Sequence, residues 1–324
     1  MNFADAEKIA AVVLYEGYIL YPYRATSTKN VQRWNFGTLY PQDYAEAQRP
    51  AGSFRLHTEC LLQADVDAKL DVRARFLQLV RKHAAASQDW EEGVERTVDR
   101  NDLRLGDIIE NPVRYNFSLN ATDTVTDNIS AESVSAKNIS GCLEIQTELL
   151  QNGLHKLSLD LLNITPMKSP TTCAQKDAML EAFVSAHVLL GMTAGEFVSL
   201  LDTPEEFHEA ASTCKNIGVF PVLAGEEGQR TMVLCSPIIL YDYPKIAPES
   251  VGDFFDGTEM DEMLALRVLT LTDDEKQEMR NVDDRARRIL ERTETLPQDF
   301  LMKVHGAIRG MRPVAENHPQ EDPK

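Results

Sequence analysis

Between residues 69 and 80 the apolar positions recur every second residue: Leu70, Val72, Ala74 and Phe76 fall on one side, Asp71, Arg73 and Arg75 on the other. That period predicts a strand with one buried face. Residues 53–62 alternate in the same way, and the polar QADVDA between the two runs predicts a hairpin loop. A longer hairpin is predicted over residues 141–163, where Gln151-Asn152-Gly153 separates two alternating runs; Asn-Gly suits a tight turn whose central residues need positive φ. Ahead of these strands Ile9, Val12 and Val13 stand at helical spacing, so residues 4–14 read as a short amphipathic helix.

After Pro170 the pattern changes. Residues 174–190 read as an apolar helix, and Thr193 followed by Glu196 reads as a capping box opening the next. Thr203-Pro204-Glu205-Glu206 starts a third helix, with proline at its first position. One more hairpin is predicted from 219–223 and 231–240, which flank AGEEGQ, and helices follow over 259–269, 273–280 and 283–292. The expected fold class is α+β. Residues 1–165 form an N-terminal antiparallel β-sandwich-like half with a leading helix, and residues 166–311 a mainly helical half containing the one β-hairpin at 219–240. The polar, proline-spaced stretch 312–324 is expected to be a disordered tail.

Composition narrows the classes of function. The 324 residues are 43% hydrophobic and 26% charged, with a formal net charge of -18. A field of that sign repels phosphate backbones and anionic lipid, so neither nucleic acid nor a membrane surface is an expected partner. The longest apolar runs, 9–15 and 18–23, are divided by Glu16 and fall short of the roughly 20 residues a bilayer crossing needs. Asp5, Glu7 and Lys8 are the wrong opening for a secretory signal, so a cytoplasmic location is expected. The five cysteines suggest neither a disulfide framework nor a CxxC metal site, and no cofactor is expected.

One stretch runs against this acidic background. Residues 14–44 gather six of the nine tyrosines with Trp34 and Phe36, and carry Arg24, Lys29 and Arg33 with no acid between Gly17 and Gln42. Rings with an apolar body and a polar tip, interleaved with cations, are typical of contact surfaces. Tyr21, Tyr23, Arg24, Lys29, Arg33, Trp34 and Phe36 are therefore the candidate binding residues; the competing reading is that the rings simply close a core.

Conventional chemistries find less. His57 and Cys60 would point to opposite faces of a strand and cannot chelate together. No phosphate-binding glycine motif and no nucleophile elbow is present. The acid-rich window 249–262 offers Asp253, Asp256, Glu259, Asp261 and Glu262 as candidate metal ligands, without the spacing of an EF-hand; complementing a helix dipole explains its later members equally well. His187, beside Ser185 in an apolar run, is the one candidate catalytic residue, set against its reading as a hydrogen-bonded core histidine.

Two segments, LYEGYILYPYRATSTKNVQRWNFGTLYP and SPIILYDYPKIAPESVGDFFDGTEMDEMLALRVLTLTDDEKQEMRNVDDRARRILER, resemble a family of bacterial proteins encoded among the structural and maturation genes of uptake [NiFe] hydrogenases. The linking pieces FVSAHVLL, GEFVSLLDTPEE and CKNIGVFPVLAGEEG resemble it too. The resemblance implies a non-catalytic accessory or assembly role, with hydrogenase subunits as the protein partner. Two alternatives stay open: an enzyme using the acidic window or His187 in a cleft between the halves, and a homo-oligomeric structural protein.

Overall fold

The computed structural model of the chain describes residues 3–15, 36–48, 52–83, 90–121, 133–151 and 153–245, and single positions between 272 and 295. In chain order the elements are helix α1 (Ala4–Tyr15), helix α2 (Gln42–Ala47), strands β1 (Arg55–His83) and β2 (Trp90–Arg104), helix α3 (Leu105–Glu110), and strands β3 (Val113–Leu119), β4 (Ser133–Ser135), β5 (Ile139–Gln151) and β6 (Leu154–Asn163). A helical turn (Gln175–Ala178, Met179–Glu181) leads to β7 (Val184–Val198), and a second (Glu205–Phe207, His208–Ser212) to β8 (Phe220–Leu223) and β9 (Met232–Ser236).

The nine strands form one sheet in the order β3-β5-β6-β1-β7-β9-β8, with β2 and β4 added along β1. β1, 29 residues long, organises it. Its first part pairs with β6 and its second with β2 on the same side, while β7 runs along the opposite edge of both. The register slips between Ala64 and Lys69, and at this bulge the strand changes partner. β1 and β3 stand three strand spacings apart in the order, about 14 Å in a flat sheet. Yet the rings of Phe76 on β1 and Phe117 on β3 have centroids 6.4 Å apart, so the sheet curls over onto itself. Arg100 of β2 lying over the Tyr115 ring of β3 marks where the curled edges meet.

The core inside the curl takes the even-numbered face of β1, from Leu56 to Phe76, with Leu143, Leu159, Leu190 and Cys235 from the other strands and Phe183 just before β7; α3 adds Leu105 and Ile108. Helix α1 covers the outer face of β7, β9 and β8, laying Phe3, Ala6, Ala10 and Val13 on Leu189, Val222 and Leu234. Arg73 fixes its orientation by pairing with Glu7 and lying over the Phe3 ring.

The expected α+β division with a mainly helical second half is wrong. Residues 184–198, read as the end of one helix and the start of the next, form the central strand β7, between β1 and β9. The strand is buried on both faces, the curl on one side and α1 on the other, so its sequence shows a continuous apolar run instead of an alternation. Residue 165 lies between β6 and β7, both of which pair with β1, so the sheet continues across that point. The QADVDA stretch does not close a hairpin: it is the bulged, exposed middle of β1. The leading helix and the 141–163 hairpin with Gly153 at φ 75 form as the pattern predicts; the β8–β9 hairpin forms too, but its second strand ends at Ser236 and not at residue 240. The predicted helix 259–269 and the tail 312–324 lie outside the described residues; the described positions Asp273, Lys276, Gln277, Arg280, Arg287, Leu290, Glu291 and Glu294 are helical.

Candidate functional site

The outer face of β3, β5, β6 and the first part of β1 carries a row of charged side chains. Cross-strand register sets Arg114 opposite Glu144, Glu144 opposite Asp160, and Asp160 opposite His57. Arg55 clamps Asp160 through Nε and, at 3.0 Å, through Nη2. His57 Nδ1 is 2.9 Å from Asp160 Oδ1, and its Nε2 is 3.5 Å from Glu59 Oε1. Glu59 in turn accepts from Ser158 Oγ and from the backbone N–H of Lys215. A histidine beside carboxylates invites a catalytic reading, but here both ring nitrogens and every carboxylate in the row are already engaged within the sheet. The row works as cross-strand pairing that holds β1 to β6.

His187 occupies β7, not a helix, and is fully buried. Its Nδ1 lies 2.8 Å from the Ser185 carbonyl, which is accordingly the acceptor, while Nε2 has no hydrogen-bond partner. Burial drives its pKa down to about 3, and the neighbouring Arg75 adds to the shift. Ser185, held at φ 56, gives its hydroxyl proton to the Val13 carbonyl at the end of α1. The imidazole is thus neutral and sealed between sheet and helix. The linkage sign follows: unfolded chains take up this proton as pH falls below 6.5, the native protein does not, and stability drops with falling pH. From pH 6.5 to 5 the His187 share of that loss is about 2 kcal/mol. His187→Gln is expected to flatten the acid limb by this amount when urea unfolding is compared at the two pH values; His155, whose pKa burial also lowers, keeps the remaining slope in the same direction.

Three of the thiols are poor nucleophiles. All five are free. Burial pushes Cys235 up to about 12 and Cys214 to about 11, and lifts Cys60 well above the usual thiol range. Such groups stay protonated and unreactive near neutrality. Among the described residues no three His, Cys, Asp or Glu side chains converge as metal ligands, and no helix is long and apolar enough to cross a membrane. The candidate metal ligands Asp253, Asp256, Glu259, Asp261 and Glu262 lie outside the described residues, as do Tyr21, Tyr23, Arg24, Lys29, Arg33 and Trp34.

Phe36, the last of the candidate binding residues, is described, and it is exposed. Its carbonyl accepts from the Ser185 N–H, and Leu39 exchanges two backbone hydrogen bonds with Phe183, so the end of the aromatic-basic segment is fastened to the start of β7. The buried side chain of Asn163 secures it from beneath by donating to the Leu39 carbonyl. Tyr40 and Tyr44, by contrast, turn inward and pack together in a small core. Gly37, at φ 57, stands against Pro237: a methyl group there would come within 2.8 Å of Pro237 Cβ. Gly37 thus adjoins the start of residues 237–243, whose first four positions the pattern assigns to the strand over 231–240 but which lie beyond β9, and there Ile239 and Tyr241 are almost wholly exposed. A scan against protein-family models gives no match, and no curated protein is significantly similar to the chain.

Proposed function

We propose that the protein is a non-catalytic accessory or assembly factor that works by binding another protein through its aromatic-basic segment, with hydrogenase subunits as the partner. The observation that carries the binding reading is the exposed large side chains where that segment is anchored: Phe36, next to Gly37 which stands against Pro237, and Ile239 and Tyr241 a few residues further on. Large apolar groups left in water at one place mark contact surfaces, whereas the charged row and the buried histidine are consumed within the fold. The choice of hydrogenase as partner comes from the sequence resemblance. In this reading the curled sheet is a rigid platform, and Arg24, Lys29 and Arg33 select an acidic face on the partner.

The test is retention of hydrogenase subunits on the tagged full-length chain from its native host, quantified by mass spectrometry. Arg24→Glu with Lys29→Glu and Arg33→Glu is expected to cut retention at least about tenfold while thermal unfolding stays unchanged. Equal retention by the folded variant removes the segment from the interface, and absence of hydrogenase subunits from the wild-type eluate removes the partner.

A further inference from the structure

One pair of polar side chains faces the apolar interior of the curl. On β5, Thr147 has the parity of Leu143 and Ile145, and on β6, His155 has that of Leu157 and Leu159, so both side chains point into the core. They are 3% and 1% exposed. Register pairs Thr147 with Leu157 and Leu149 with His155, which makes Thr147 and His155 diagonal neighbours, their Cα atoms roughly 7 Å apart. His155 Nε2 lies 3.1 Å from the Ala64 carbonyl, at the bulge where β1 exchanges β6 for β2. Helix α3 lies over the same end, with Gly106 against Val66 of that bulge. A carbonyl only accepts, so Nε2 carries the proton of the ring and Nδ1 presents its lone pair. Neither Nδ1 nor Thr147 Oγ1 has a hydrogen-bond partner among the described residues. One atom needs a proton and the other has one to give, yet the two do not meet. Buried groups of this kind cost stability unless something pairs with them.

We infer that Thr147 and His155 together bind one buried water molecule, which accepts from the Thr147 hydroxyl and donates to His155 Nδ1. The chemistry selects water over other occupants. The bridging molecule must accept at one side and donate at the other, and two hydrogen bonds of about 2.8 Å each span the gap left between diagonal side chains. It must also be neutral: burial lowers the His155 pKa and no charged side chain adds to the shift, so the ring is uncharged and the site has nothing to balance an ion. The water carries the tie between the Ala64 carbonyl and His155 onward to Thr147, making one polar chain across β1, β6 and β5 at the point where β1 changes partner. The site belongs to the interior of the sheet and stands or falls separately from the binding of any protein partner.

High-resolution crystal structures of the full chain and two variants test it, together with urea unfolding. The wild type is expected to show one ordered water within hydrogen-bond distance of both Thr147 Oγ1 and His155 Nδ1. Thr147→Val keeps the shape but removes one of the two partners; it is expected to lose the water and to raise the unfolding constant about tenfold. Thr147→Ser keeps the hydroxyl and is expected to keep the water. In solution the ¹⁵N resonance of His155 Nδ1 is expected at the position of a hydrogen-bonded acceptor in the wild type and to move toward that of an unbonded one in Thr147→Val. A direct Thr147–His155 hydrogen bond, a dry site, a larger molecule between the two side chains, or a Thr147→Val chain as stable as the wild type each overturns the proposal.

Discussion

Gly141→Val is expected to cost about 4 kcal/mol, above the usual 1–3 for overpacking, and to leave the protein largely unfolded in moderate urea. Gly141 on β5 lies directly opposite Phe117 on β3. A Cβ at this position would fall 2.2 Å from Phe117 Cζ and within 2.8 Å of both ε carbons, so the ring lies flat over the glycine. It cannot swing aside, because it stacks with Phe183 at 6.0 Å, and Phe183 stacks in turn with Phe76 at 4.2 Å and 16°. Nor can the backbone retreat, since β5 is paired along both edges. Phe117→Leu placed in the same chain vacates the space and is expected to recover more than half of the loss, a coupling that two independent sites would not show. Equilibrium urea unfolding of the two single variants and the double variant measures it; a Gly141→Val chain within about 1 kcal/mol of wild type would mean the ring does not occupy that space.

This stack explains both what sequence reading reached and where it stopped. The 141–163 hairpin was legible because each strand has one polar face and an Asn-Gly turn, so local alternation and turn chemistry agree. The 184–198 strand was not, because the curl and α1 bury it from both sides and erase the alternation that distinguishes strand from helix. The bulge in β1 misled for the opposite reason: its exposed QADVDA looks like a turn, although the strand passes through it to exchange β6 for β2. The charged row was out of reach, since Arg55 and Asp160 are 105 residues apart and meet only through register. Of the candidate site, the aromatic-basic composition was readable, and of its seven residues Phe36 alone falls among the described ones. The exposure of Ile239 and Tyr241 was not legible, because the apolar run through Leu240 reads as the close of a strand, whereas β9 ends at Ser236.

The anchoring of that site leads to the last expected result, at Asn163. Its side chain is wholly buried at the end of β6. The amide nitrogen donates to the Leu39 carbonyl at 2.9 Å and the Glu181 carbonyl at 2.8 Å, and the amide oxygen accepts from the Thr165 N–H at 3.1 Å. One side chain thus satisfies three backbone groups from three separate stretches, and one of those stretches holds Phe36 in place. Asn163→Leu keeps the volume but leaves the Glu181 carbonyl and the Thr165 N–H unpaired away from water, and the Leu39 carbonyl with only its bond from the Phe183 N–H. At about 1–3 kcal/mol for each of the two orphaned groups, less what the added apolar surface returns, the net loss is expected to be about 3 kcal/mol. Asn163→Asp tests direction as well as size: it keeps the acceptor for Thr165 but turns a second oxygen toward two carbonyls, so its damage should ease at acid pH, where the protonated carboxyl can donate to one of them. Unfolding at pH 7 and pH 5 separates the cases. Because the 36–40 segment loses one of its few ties while the sheet keeps its ladder, hydrogen exchange at Leu39 and Tyr40 should accelerate in Asn163→Leu more than exchange in β5 and β6; uniform acceleration would show that Asn163 supports the whole sheet equally and not this anchor.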